Sequence, residues 1–298
     1  MSYRYSNLII FTFFILFISN ISQAGKCELS QLVISKDPLV KIDFCNIPYS
    51  TLNNSTLPIS EKESGKSRKS NYFDFEVGKF ELTQEQFSVI TGRKPWNVPY
   101  SKYSVLEVPG GKKQGVISGP MYPAVYINGY DVQEVLEKLN KLDPKHVYRL
   151  PTHNEWFWYT KARVQSTFYW GEELGSDFVF HGSTKEKLTN AQKVTSCPDK
   201  EKQKIIPEYC ANPFGLMHTL GNVWELTDNG VFNGSKSLSS PLDIHMYEIE
   251  FSKVSMILAG GSWTTDQLFF SGSFTYKLGM ANNDGQNNVG IRLLRIKK

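Results

Sequence analysis

The sequence lacks most of the short motifs that reveal a chemistry. No P-loop, no GxGxxG after a strand, no GxSxG and no HExxH occurs in its 298 residues. The usual nucleotide-binding, hydrolase and zinc-protease signatures are therefore missing. Charge is sparse and balanced, with 33 Lys and Arg against 29 Asp and Glu, a net of +4 and no long basic run. Such a surface does not point to nucleic acid. The four cysteines include no CxxC, and the five histidines are scattered, so no zinc spacing is present. The hydrophobic share of 40% is ordinary for a globular chain and excludes a wholly disordered or collagenous one. Carboxylate pairs such as Glu172 and Glu173 read as solvated rather than as an acid–base pair.

Only one run is long and apolar, Leu8 to Ile18, and it follows Arg4. It is short of the roughly 20 apolar residues of a membrane span. Ser22-Gln23-Ala24 comes next, with small residues where signal peptidase reads. Residues 1–24 thus read as a secretory signal, with an uncleaved N-terminal anchor as the alternative. Loss of Arg4 leaves the mature chain at +3, that is 4 − 1. The chain is expected to be exported, periplasmic or secreted, with no membrane span after cleavage.

Export changes how the cysteines read. An even number in an oxidising compartment points to disulfides, and four cysteines allow three pairings. Closeness in sequence favours Cys27–Cys45 and Cys197–Cys210. From Asn46 to Asn71 the chain is rich in Ser, Thr, Asn, Lys and Glu, the composition of a solvated linker. Residues 25–71 are expected to be a short N-terminal segment and linker, and residues 72–298 the main domain, large enough for one substantial core.

Three helices have stated starts. Thr83 with Gln86 forms a capping-box pair, and Gly92 offers a stop. Asp131 and Glu134 offer a second start, followed by Val132, Val135, Leu136 and Leu139 on one face. Thr152 with Glu155 makes a third box after Pro151, and Trp156 and Tyr159 share a face. Brief strands are expected at Ser255–Ala259 and Val289–Ile296. The fold class is α+β with much irregular backbone. Trp156, Trp170, Trp224 and Trp263 are large anchors for a strand-poor core, and Arg149 and Arg292 are candidates for internal hydrogen bonding through a planar fork.

An ordered set of motifs carries a resemblance. Arg149 to Trp156 reads RLPTHNEW, and Tyr169-Trp170-Gly171 follows. Asn212-Pro213-Phe214-Gly215-Leu216, Gly221-Asn222-Val223-Trp224-Glu225, Gly260-Gly261-Ser262-Trp263 and Val289-Gly290-Ile291-Arg292 complete the series. Upstream stand Lys79-Phe80-Glu81-Leu82-Thr83 and Tyr122-Pro123-Ala124-Val125. Over about residues 72–298 this set resembles the formylglycine-generating-enzyme, or sulfatase-modifying-factor, family. The resemblance implies a C-type-lectin-like fold, low in regular secondary structure. The plainest reading of the motif set is that it specifies fold.

The same resemblance implies calcium at the NVWE turn, with Gly221 and Val223 as carbonyl donors and Glu225 as carboxylate. His218 stands where relatives have Asp or Asn, and imidazole suits calcium poorly. Asn190 and Ala191 align with a second family site. Copper is not expected. Oxidase members carry two cysteines after GGSW that bind Cu(I), a soft ion that selects thiolates. Here the segment runs Thr264-Thr265-Asp266-Gln267-Leu268-Phe269-Phe270, and no cysteine follows Cys210. No sulfatase-activating oxidase activity is therefore expected.

Two function classes follow. The first is a module that binds a protein or glycan through the loop 264–288, whose aromatic and small polar residues resemble adaptable binding surfaces. Its candidate contacts are Trp263, Thr264, Thr265, Phe269, Phe270, Phe274 and Tyr276. That segment is also similar to the variable region of retroelement-diversified lectin-fold proteins. The second is an enzyme of the same family with a different metal-dependent oxidation or modification in the envelope. It would draw on His181, His218, His245, Asp228 or Asp266. No catalytic residue is assigned from sequence.

Overall fold

The computed structural model describes residues 27–48, 75–97, 116–173, 175, 177–182, 188, 190–228, 256–266, 275–278 and 285–298. The signal segment, the stretch 49–74, His245, Phe269, Phe270 and Phe274 lie outside the described residues.

Two sheets carry the domain. The first has five antiparallel strands: β1 (Leu29–Lys36), β2 (Leu39–Ile47), β3 (Phe75–Gly78), β9 (Leu294–Lys297) and β4 (His146–Arg149), in that spatial order. The second has the order β7 (Thr275–Leu278), β6 (Met256–Ala259), β5 (Trp224–Thr227) and β8 (Val289–Gly290). Only its β5–β8 pair is parallel. The helices are α1 (Gln84–Thr91), α2 (Gly129–Leu142), α3 (His153–Lys161) and the short α4 (Lys200–Ile205). Mixed helices and strands with long irregular connections make this an α+β fold, as the sequence implies.

Alternation along β2 sorts the two cores. Ile42 and Phe44 face one cluster, with Phe87 of α1 and Val132, Val135 and Leu139 of α2. Cys45 and Ile47 face the other, with Trp156 and Tyr159 of α3 and Phe75 and Val77 of β3. That is the period of two expected of a strand buried on both faces. Val132, Val135 and Leu139 are fully buried, each contributing on the order of 1.5–3 kcal/mol. A charge at Val135 would break this packing.

The caps explain where helices begin and end. Thr83 accepts from the Gln86 N–H, and Gly92 closes α1 in the left-handed region. Thr152 and Glu155 form the reciprocal box of α3. The second helix departs from expectation. Asn128 is its cap, Asp131 is the reciprocal partner, and the helix starts at Gly129. Asn is as good a cap as Asp, and Glu134 instead pairs with Arg93 and Lys138.

Two further differences from expectation concern connectivity, while one expected strand is found in place. The predicted strand Val289–Ile296 is two strands in two sheets, β8 and β9, separated by Ile291–Leu293. The break sends Arg292 into the interior. The predicted Ser255–Ala259 strand is β6, Met256–Ala259. Residues 27–48 do not stand apart from the main domain. They form an edge hairpin of its first sheet, because β2 pairs with β3. The cysteines pair as Cys27–Cys45 and Cys197–Cys210. Loops of this size stabilise by about 3 kcal/mol in the chain-entropy model.

Candidate functional site

The site is built where the GNVWE and GGSW turns meet back to back. The Gly221 N–H donates to the Gly260 carbonyl at 2.8 Å, and the Trp263 N–H donates to the Asn222 carbonyl at 2.8 Å. Gly221 has φ of 76°, and a Cβ there would lie 2.5 Å from the Phe180 carbonyl oxygen. Gly260 has φ of 93°, with the Thr219 carbonyl 2.9 Å from its Cβ position. Both positions need glycine for conformation and for space.

Beneath these turns lies a buried ion pair. Arg292 and Glu225 are 0% and 1% exposed and 2.6 Å apart. Arg292 uses all its donors. Nε and Nη2 reach Glu225, Nη1 reaches the carbonyls of Gly78 and Lys79, and Nη2 also reaches that of Met217. The other Glu225 oxygen accepts from Trp156 Nε1 at 3.0 Å and Tyr159 Oη at 3.1 Å. Burial beside this carboxylate holds the Tyr159 phenol well above its ordinary value. The ion pair thus joins β3, β5 and the segment before the GNVWE turn through Arg292, and α3 through Glu225. Arg149 does a smaller version, gripping Glu155 through two bonds at 2.6 and 2.7 Å.

The calcium ligands expected from sequence divide on inspection. Glu225 does not fit an ion, because both oxygens already accept hydrogen bonds and one faces a guanidinium. His218 is fully buried in the left-handed region at φ 54°. Burial, reinforced by Arg292, lowers its imidazole to about 3, so it is neutral and supplies no oxygen. The two expected segments nevertheless meet. Asn222 Oδ1 accepts from the Gln192 N–H at 2.7 Å, and Asn222 Nδ2 donates to the Gln192 carbonyl. The same Nδ2 donates to Glu81 at 3.1 Å. Glu81 is fully buried. Burial pushes it up to about 8, although Arg292 pulls the other way. Among the described residues the side-chain partner of this acid is the Asn222 amide, and no cation bonds it. Unlike Glu225, it has no guanidinium bonded to its oxygens among the described residues.

The stems of the loop 264–288 are knotted above. Asn288 Nδ2 donates to Thr264 Oγ1 at 2.9 Å and to Ser262 Oγ at 3.4 Å. The Ser262 N–H donates to Thr265 Oγ1 at 2.9 Å. The Gly182 N–H donates to the Thr265 carbonyl, which seats His181 against the loop base. Burial lowers the His181 imidazole, against the pull of Asp266. At the other end the Tyr126 N–H donates to the Gln286 carbonyl. Thr264 and Asp266 are exposed.

Several expected contacts change role. Trp263 is 3% exposed and belongs to the first core, so it anchors the loop from below instead of meeting a ligand. Thr265 is also buried and tied to Ser262. Tyr276 sits on β7 opposite Leu258. Asp228 is buried, with its N–H donating to the Pro151 carbonyl. The structure therefore does not gather His181, His218, Asp228 and Asp266 into a ligand cage. Among the described residues no three of His, Cys, Asp and Glu converge on a metal position. Glu81, Asn222, Ser262 and Asn288 were not singled out by sequence reasoning. The first three lie inside quoted motifs, and Asn288 immediately precedes VGIR, so position within motifs was the available signal.

The comparisons speak for the family and the fold. Residues 50–297 match the family described as the sulfatase-modifying factor enzyme 1-like domain. No curated protein matches the sequence. Among solved structures, Treponema denticola variable protein 1 superposes with TM-score 0.55 at 16% identity, over 90% of this chain and 99% of the other. PvdO from Pseudomonas aeruginosa gives 0.56 at 18% identity, over 91% and 99%. CarF gives 0.50 at 14% identity, over 86% and 99%. At these identities the structures speak for the fold, and the family match speaks for kinship. The chain belongs to the sulfatase-modifying-factor, formylglycine-generating-enzyme-like family.

Proposed function

We propose that this protein is an exported binding module on a sulfatase-modifying-factor scaffold, without sulfatase-activating oxidase activity. Its ligand is a protein or glycan met by the segment 264–288, within which Thr275–Leu278 is the strand β7 paired with β6. The observation that carries the reading is the fate of the cysteines. All four are consumed in the disulfides 27–45 and 197–210. The segment after GGSW offers Thr264, Thr265 and Asp266 instead, and a hydroxyl cannot replace a thiolate for a soft ion. Two disulfides suit an oxidising compartment, and no helix of the described residues is long and apolar enough to cross a membrane.

The knot of Ser262, Thr264, Thr265 and Asn288 supports the binding side of the reading. It closes the loop base, so the excursion can change while the base stays rigid. That a protein of this fold is described as variable fits such a division. Replacing residues 267–274 by eight Gly and Ser residues is expected to shift the melting temperature by less than about 4 °C. Asn288→Ala, which unties the base, is expected to cost about 1–3 kcal/mol. Differential scanning calorimetry separates the two. Binding to an immobilised panel of glycans and envelope proteins should be lost in the 267–274 replacement. Binding that survives the replacement would sink the assignment of the loop.

We propose that, if this chain holds the family's calcium, Glu81 and the Gln192 carbonyl are its oxygen donors, with Asn222 holding the two segments together through its amide. The buried, cation-poor carboxylate supports that choice. A bound ion there would brace the segments 190–192 and 221–223 and do no chemistry on a ligand.

A further inference from the structure

We propose that β1 is the surface through which two copies of this chain pair, edge to edge and antiparallel. β1 is an outermost strand of the first sheet, with β2 as its only neighbour among the described residues. Edge strands of soluble proteins are normally short, or carry charge or proline that discourages pairing. This one is eight residues long, Leu29 to Ser35 holds no charge and no proline, and its pairing with β2 runs in register from Leu29 to Val33 before a shift between Val33 and Ser35. Leu29, Val33 and the neighbouring Leu39 on β2 are 47%, 42% and 61% exposed. Leu29 and Val33 stand opposite Cys45 and Lys41. They therefore extend, beyond the cover of α3, the sheet face that Cys45 shares with Trp156. The Cys27–Cys45 disulfide fixes the start of β1 to β2, so the edge is ordered before it meets a partner, and little entropy is lost on docking.

Charge selects a second copy over a foreign strand. Glu28 precedes β1 and Lys36 ends it, and Lys36 has no ion-pair partner among the described residues. In an antiparallel pair of identical strands, the Glu28 end of each lies beside the Lys36 end of the other. Two symmetric attractions result, as a two-fold interface requires. Ser30, on the same strand, is held to Glu76 and Arg295, so the inner face of β1 stays with its own core.

Sedimentation velocity on the purified chain, from about 1 µM to about 500 µM, tests this. A reversible dimer is expected. Val33→Lys, on a half-exposed position, should weaken it at least tenfold, and Leu29→Lys serves if that variant folds poorly. Glu28→Lys and Lys36→Glu should each weaken the dimer, and combining them should restore it. A chain that stays monomeric across the range overturns the proposal. So does a dimer indifferent to Val33→Lys or Leu29→Lys in folded protein.

Discussion

Arg292→Met is expected to lower the stability of the chain by about 3–5 kcal/mol. Typical domains hold about 5–15 kcal/mol in total, so a partly unfolded population at 37 °C is the expected phenotype. The cost has two parts. Glu225 keeps its buried charge with only Trp156 and Tyr159 as donors. The carbonyls of Gly78, Lys79 and Met217 also lose the side-chain donor that joins them. Arg292→Lys should recover little, since an ammonium offers three donors and no planar fork. Removing both charges together, with Glu225→Gln and Arg292→Met, should cost less than the sum of the single changes. Urea unfolding of the four proteins measures this, and an Arg292→Met loss below about 1 kcal/mol would contradict the role given to the pair.

In chelator, the stability of the chain is expected to fall as pH rises from about 6.5 to about 8, while below 6.5 the buried neutral His218 opposes the trend. The sign follows from Glu81. Its folded value is raised from 4.5 to about 8, so in this window the folded state binds a proton that the unfolded state has released. Stability then falls with pH above the unfolded value and levels off above the folded one. Above pH 6.5, where no histidine opposes it, Glu81 sets an upper bound of roughly 2 kcal/mol, at about 1.4 kcal/mol per unit. Glu81→Gln should flatten this slope. Calcium should also flatten it, because a cation favours the ionised acid, and should raise the melting temperature at pH 8 more than at pH 5. Below about pH 6.5 the buried His218, and at the acid end Glu76 and Asp143, act in the opposite sense. Arg295 and Ser30 hold Glu76 below its ordinary value against burial, and Tyr148 and His146 do the same for Asp143. Their contribution is lost as pH falls through those depressed values. Thermal melts from pH 3 to pH 9, with and without calcium, report both limbs. A calcium effect that survives Glu81→Gln would move the ion elsewhere.

What could be read from the residues divides along physical lines. The boxes at Thr83 and Thr152 were legible because a cap and its partner lie three residues apart, and the contact is local. The kinship was legible because Gly221, Gly260 and the tryptophans are constrained by close backbone approach and large buried volume, which leave fixed letters in order. Position 128 was missed because two capping-competent residues lie close together, and packing chose between them. The split between β8 and β9 was invisible, since an unbroken apolar run with one arginine reads as one strand. Only the distant Glu225 explains why Arg292 turns inward. Glu81 and Asn222 could not be paired from sequence, because 141 positions separate them. Trp263 was read as a contact because an aromatic after a glycine pair suits a surface as well as a core. Burial decided that case.

The most direct test of the central claim is a combined copper and activity measurement on the purified chain. The protein is reconstituted with Cu(I), its metal content is measured by elemental mass spectrometry, and a CxPxR peptide is offered in air. With every cysteine held in a disulfide and threonines after GGSW, no stoichiometric copper and no aldehyde on the peptide are expected. One copper per chain together with formylglycine in the peptide would contradict the loss of the oxidase chemistry.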